Sequence, residues 1–197
     1  GGTQGVINNN CPAPGSPFIV ENLGHACEMA GISWKAYSED LPSPGWSGCS
    51  ANAGLYHRRH CPWTNFGNLD HLNERPYNDL AADIAAGTLP QLAFVTPNNC
   101  HNSHDCAVAE GDAWLAANVP VMLQSVGPSG LVVLTRDEDD SSAGNHILTV
   151  FAGESVRSGY VSGQIITHYT VLRTISEALG IAPFGAALNE TPISDIW

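Results

Sequence analysis

The spacing of hydrophobic positions along this chain changes several times, and each change marks the edge of an element. From Glu21 to Ala30, the residues Leu23, Ala26, Cys27 and Ala30 recur at helical intervals, and Gly31 is a natural stop. Ile32-Ser-Trp-Lys-Ala-Tyr37 then alternates as a short strand does. Helical spacing returns from Tyr77 to Gly87, with Leu80, Ala81 and Ile84 inward and Gly87 closing the segment. Gln91-Leu-Ala-Phe-Val-Thr96 reads as a buried strand that stops at Pro97. A helix is expected from about Gly111 to Ser125. Pro120 should interrupt or divide it, because proline lacks the amide donor and crowds the preceding turn. Gly130 to Thr135 and His146 to Ala152 read as a second and a third buried strand. Thr167 can cap a last helix whose Tyr169, Leu172, Ile175, Ser176 and Leu179 share one face, with Gly180 as its stop.

Between these elements the first twenty residues, rich in Asn, Pro and Gly, read as loop, with Cys11 as a tether. Leu41 to Asn68 has no clear period and is dense in Pro, Gly, Ser and His, which predicts a long loop. Long ordered loops in compact domains are often functional. Strands alternate with helices, and the strands after the first are continuously apolar. That is the signature of a mainly parallel sheet covered on both faces, an α/β fold built as a three-layer α/β/α sandwich. At 197 residues a single domain, 1–197, is expected.

Composition narrows the partners. Seven Lys plus Arg against nineteen Asp plus Glu leave a net charge of −12, with Lys35 the only lysine. Such a surface repels nucleic acid and anionic headgroups, so an anionic substrate would need a local positive centre, a metal or an arginine cluster. Six cysteines with no CxxC pair favour disulfides in an oxidising compartment over a zinc site, hence a secreted protein. A Cys100–Cys106 bridge is expected. Among the other four, Cys49–Cys61 is preferred because both sit in loop. No apolar run approaches the roughly 18 residues that span a bilayer.

In open α/β sheets ligands bind beyond the carboxyl ends of the strands. Three stretches lie there. Leu131-Val-Val-Leu134 leads to Asp137, Glu138, Asp139 and Asp140, which form either a solvated acidic turn or oxygen ligands for a hard cation. The segment after Thr96 holds His101, His104 and Asp105 inside a ring that a Cys100–Cys106 bridge would close. The long loop carries Tyr56-His-Arg-Arg-His-Cys-Pro62, which places Arg58 and Arg59 beside His57 and His60. Histidines in such a place can bond phosphoryl oxygens, ligate a metal or protonate a leaving group. A turn held by surface ion pairs is the plainer alternative.

Six stretches in register resemble a known family: Ile32 to Pro42, Tyr56 to Pro62, Val95 to Cys106, Gly111 to Leu115, Leu134 to Asp140 and His168 to Ile175. The family is the phosphoesterase group that unites bacterial acid phosphatases with phosphatidylcholine-cleaving phospholipases C, and the acidic Asp-Glu-Asp-Asp form is closer to the acid phosphatase branch. The resemblance implies an alkaline-phosphatase-like fold and hydrolysis of phosphoric esters by a Ser or Thr nucleophile beside a divalent metal ion. It implies Asp137 and Glu138 as metal ligands, and His60 and His104 as lining the phosphoryl pocket. Asp105 would orient His104 or close the site, and His57 and His168 are second-line members. The family's opening strand, which ends in Glu-Asn, and its nucleophile segment have no match here, because Gly2 to Val6 aligns downstream of the nucleophile. The implied domain therefore lacks that segment, would be weakly active or inactive by itself, and could associate with it. The leading expectation is a secreted metal-dependent phosphoric monoester hydrolase, or the larger part of one, acting on a phosphorylated small molecule or a phospholipid headgroup. A non-catalytic binding or assembly unit with the same fold, and a phospholipase C, stay open.

Overall fold

The buried Asn22 opens the first helix, α1 (Leu23–Met29), by accepting the His25 amide on its side chain at 3.0 Å. Gly31, at φ 68°, turns the chain away after it, where a side chain would be strained. The structure is a computed structural model and describes residues 8–197. Part of the loop expected over the first twenty residues, and the Gly2-to-Val6 stretch, lie outside the described residues. Contacts divide the chain into two units, Gly1–Gly111 with Ile166–Ile193, and Asp112–Ile165 with Ser194–Trp197.

In the first unit β1 (Trp34–Ser38) is followed by two short strands, β2 (Ser50–Ala51) and β3 (Tyr56–His57), which pair antiparallel. β4 (Glu74–Pro76), α2 (Asn78–Ala86) and β5 (Leu92–Thr96) come next. The sheet is parallel, in the order β4-β1-β5, with Ala36 opposite Glu74 on one side and Phe94 on the other. Because side chains alternate along a strand, β1 serves two layers. Trp34 and Ala36 point into a core with Ala26 and Cys27 of α1, Trp63, Ile181 and Phe184. Leu172 and Leu179, from α4 (His168–Ala178) and the residue after it, close that layer. Lys35 and Tyr37 point the other way, where Lys35 Nζ and Tyr37 OH both donate to Asp83 Oδ2 of α2 at 2.6 Å. Helices therefore cover both faces of a parallel sheet, the expected α/β/α arrangement.

Several expectations change. β4 went unread because only three residues, Glu74-Arg-Pro76, form it, with no apolar alternation. The long loop is ordered, with β2, β3 and three 3₁₀ turns between residues 50 and 65. On α4, capped by Thr167 as expected, the buried residues are Thr170, Val171, Thr174 and Ser176, a stripe turned from the expected one. The bridges are Cys11–Cys49 and Cys100–Cys106. Cys61 is buried and free, its Sγ 3.1 Å from Ser38 Oγ, so the Cys49–Cys61 preference is overturned. Proximity in sequence did not reveal that Cys61 faces the core.

α3 (Val108–Val126) runs unbroken through Pro120, one missing amide within nineteen residues, and passes from the first unit into the second. In the second unit β6 (Val132–Thr135) and β7 (Thr149–Ala152) pair antiparallel as a hairpin and do not extend the parallel sheet. The reason is the connection: residues 136–148 contain no helix to carry a parallel crossover. The same unit is closed by its last residues. The Arg157 amide donates to the Ile196 carbonyl at 2.8 Å, and Asp195 accepts from Tyr160 OH and Ser162 Oγ. Among the described residues no helix is long and apolar enough to cross a membrane.

Candidate functional site

The carboxyl ends of β1 and β5 organise the loop that holds the first group of candidates. Glu39, just past β1, accepts the Asn98 amide at 2.9 Å and faces His101 Nδ1 at 2.8 Å. Asp40 accepts from Asn98 Nδ2 at 2.8 Å. Asn98 in turn accepts the amides of Cys100 and His101 on its own side chain, starting the turn that the Cys100–Cys106 bridge closes. The ring is thus fixed at both ends before any ligand arrives.

Within the ring, His104 Nδ1 lies 2.6 Å from Asp105 Oδ1, and Asn99 Nδ2 donates to Asp105 Oδ2 at 3.0 Å. The His104 hydrogen bond, then that of Asn99, holds the Asp105 carboxyl below the usual aspartate value. With Nδ1 engaged, His104 presents Nε2 as its remaining nitrogen, and its side chain is half exposed. Buried Asn99 also ties the ring to the second loop, since its amide donates to the Leu55 carbonyl at 2.9 Å. Two residues on, β3 delivers His57.

His60 lies between the two loops. Its ring centroid is 5.7 Å from that of His104 and 6.1 Å from that of His57. Arg59 Nε donates to His60 Nε2 at 3.4 Å, and Asn102 Nδ2 faces His60 Nδ1 at 3.5 Å. A neutral imidazole accepts at one nitrogen only, so one of these long contacts lapses in either tautomer. The neighbouring Arg58 has a different part. Its guanidinium donates to Ser47 O, Thr64 O and Asn65 Oδ1, pinning the loop. The site therefore gathers three imidazoles, one guanidinium edge and one oriented carboxylate beyond a sheet end. Such a group can bond the oxygens of a tetrahedral anion and pass a proton to a departing alkoxide.

The remaining candidates stand elsewhere. His168 is the first residue of α4, in the first unit. Asp137 and Glu138 follow β6 in the second unit. The two carboxylates after them have a structural task. Asp139 accepts the amides of Ser141, Ala143 and Asn145, and Asp140 that of Ser142. The Ala143 amide is the largest influence lowering the Asp139 pKa, and the Ser142 hydroxyl, then its amide, lowers that of Asp140. Among the described residues no group of three or more His, Cys, Asp or Glu is arranged to hold a metal ion. Asp137 and Glu138 offer hard oxygen donors of the right kind, but a hard divalent cation takes six or more ligands, so this pair by itself does not make a site.

Sequence reading missed Asn99, Asn102 and Glu39 as members, and it singled out Arg58 and Arg59 together without separating their parts. The Asn98-Asn99 doublet between a strand end and Cys100 was the available signal, since Asx side chains organise turns. Ser103 is the only hydroxyl residue in the ring, but its Oγ is buried, lies 2.3 Å from where a Cβ on Gly111 would be, and has no partner among the described residues. It is not placed to act as a nucleophile.

A parallel sheet covered by helices on both faces is of the α/β class, in which ligands bind beyond the carboxyl ends of the strands. Within that class, this chain belongs to the Phosphoesterase family, whose model matches residues 1–182. It is similar to a phosphatidylinositol-3-phosphatase of Mycobacterium tuberculosis, 38% identical over 198 residues, covering 100% of this chain and 64% of that protein. An acid phosphatase of Aspergillus fumigatus is 27% identical over 201 residues, covering 94% of this chain and 44% of that protein. A phosphate-repressible acid phosphatase of Penicillium chrysogenum is 26% identical over 183 residues, covering 86% and 44%. The chain thus spans less than two thirds of the length of these relatives.

Proposed function

We propose that the protein is a hydrolase of phosphoric monoesters, of the acid phosphatase kind, and that His60, His104 and His57 form its phosphoryl pocket. The observation that carries this is His60 set between His57 and His104 on two anchored loops, with Asp105 fixing one His104 nitrogen. In this reading the substrate is a phosphorylated small molecule or a phosphorylated lipid headgroup. Imidazole N–H groups bond the phosphoryl oxygens. As an attacking oxygen, of water or of a hydroxyl nucleophile outside these residues, forms its bond to phosphorus, the ester P–O bond breaks and a protonated histidine gives its proton to the leaving alkoxide. Asp105 acts through His104, fixing its orientation. Asp137 and Glu138 would supply two oxygen ligands to a divalent metal, with others completing its shell. None of these side chains is the nucleophile. The two disulfides and the fungal acid phosphatase relatives support an extracellular location.

The test is p-nitrophenyl phosphate turnover by the full-length protein, with and without added divalent metal. Turnover that chelation abolishes is expected. His60→Ala and His104→Ala should each lower kcat/KM by about 100-fold or more. Failure of the protein to turn over the ester with metal present, while it still binds inorganic phosphate, would favour a non-catalytic binding unit on the same fold.

A further inference from the structure

Asn99 is not the only link between the two loops that carry the histidines. Asp40, two residues past β1, accepts from Asn98 Nδ2 on Oδ2 at 2.8 Å and from Asn52 Nδ2 on Oδ1 at 3.0 Å. Its main-chain carbonyl accepts from the same Asn52 amide group at 3.1 Å. Asn98 begins the ring that holds His104. Asn52 opens the turn between β2 and β3, the hairpin that delivers His57 and, three residues on, His60. In that hairpin His57 pairs with Ser50 and Tyr56 with Ala51, so the place of the turn fixes the place of His57. One carboxylate therefore touches both loops, and each of its oxygens serves one of them. The polarity of this bridge is also fixed. Asn98 is buried and cannot turn its amide around, because its Oδ1 already accepts the Cys100 and His101 amides. Both loops thus present donors to a side chain that only accepts. The backbone points the same way: Asp40 (φ 59°), Asn52 (φ 49°) and Ala53 (φ 55°) are left-handed although none is glycine. Glycine would adopt this turn without strain, whereas such conformations in other residues persist where surrounding bonds over-determine them.

We propose that Asp40 is a positioning residue of the phosphoryl pocket, setting the separation between the His104 ring and the segment of His57 and His60. The proposal rests on the reading of these histidines as that pocket. The span in question is the 5.7 Å between the ring centroids of His60 and His104. A displacement of about 1 Å at a reacting centre costs on the order of 100-fold in rate, so a bridge between the two loops bears directly on turnover. Asp40 acts through Asn98 and Asn52 and makes no contact with substrate in this role.

The test exchanges the two ends of one bond. Asp40→Asn leaves a single acceptor oxygen for two donors, so one loop is released. Asn98→Asp sets two carboxylates against each other. In the double variant Asp40→Asn/Asn98→Asp the bond returns with its polarity reversed: position 40 donates and position 98 accepts, while Asn52 and the amides of Cys100 and His101 keep their acceptors. Two readouts are taken on the full-length protein, under conditions where urea denaturation shows all four proteins folded. The first is the nuclear Overhauser contact between the ring protons of His60 and His104, expected to weaken in each single variant and to return in the double. The second is kcat with p-nitrophenyl phosphate, expected to fall by about tenfold or more in each single variant and to recover to within about threefold of wild type in the double. A residue that only stabilised the fold would lower the urea midpoint and leave kcat of the folded protein unchanged. Unchanged kcat in both single variants, or losses that the double variant does not recover, overturn the proposal and leave the monoesterase reading standing. If the wild type turns over no ester, that reading falls, and the ring contact alone decides the part of Asp40: loss and recovery support it, and an unchanged contact overturns it.

Discussion

Gly111 is where the ring that carries His104 meets the first turn of α3. A Cβ at this buried position would lie 2.3 Å from Ser103 Oγ and 2.9 Å from the His101 carbonyl oxygen. Two effects oppose each other in Gly111→Ala. Helix propensity favours alanine by about 1 kcal/mol. Overpacking works against it by about 1–3 kcal/mol, and the carbonyl contact involves backbone that cannot rotate aside. The net expectation is a loss of about 1–2 kcal/mol, taking the upper part of that range because two atoms are contacted. Ser103→Gly supplies the control. It removes the nearest atom, the hydroxyl with no partner among the described residues, and a side chain at φ 67°. In that background Gly111→Ala should cost at least about 1 kcal/mol less, a coupling expected of residues in contact. Urea denaturation of the four proteins measures this through the midpoint at constant slope. A Gly111→Ala variant that gains the full propensity term, or a double variant additive within about 0.3 kcal/mol, would refute the packing of the ring against α3.

Further outcomes follow from single groups. Asp83→Ala should destabilise the protein by about 2–3 kcal/mol, seen as a lower urea midpoint, because it leaves Lys35 and buried Tyr37 OH without their shared acceptor. In the native state neither Cys27 nor Cys61 should react with a thiol reagent at neutral pH, since burial pushes each thiol up to about 11. Two thiols should appear on denaturation without reductant, and labelling of Cys100 or Cys106 under those conditions would break the ring assignment. Asp105 has a lowered folded pKa, so its bonds contribute stability above the ordinary aspartate value of about 3.9 and lose it as pH falls through the folded value. An NMR titration should place Asp105 below that ordinary value, and His104→Ala should return it upward. Release of phosphocholine from a choline lipid is not expected, and observing it would move the protein to the phospholipase branch.

Much of the architecture could be read from the chain alone, for a definable reason. Local periodicity and stop residues report on segments, so α1, α2, α4, β1 and β5 lie close to their expected places, with Gly31, Gly87 and Gly180 at positive φ just past their helices. The small Cys100–Cys106 ring was legible because its cysteines are only six residues apart. Pairing between distant segments left no such trace. That Cys11 reaches Cys49, that β6 turns back on β7, and that three residues around Arg75 make an edge strand all depend on partners no local pattern names. The site divides the same way. His57, His60, His104 and Asp105 stood out by residue type and by their place after strands or in an anchored loop. Only folding decided that Arg58 is consumed in holding the loop while Arg59 faces a cavity, and that Asn99 joins the two loops. Adjacent identical residues carry the same local information, and the tertiary contacts around each one set them apart.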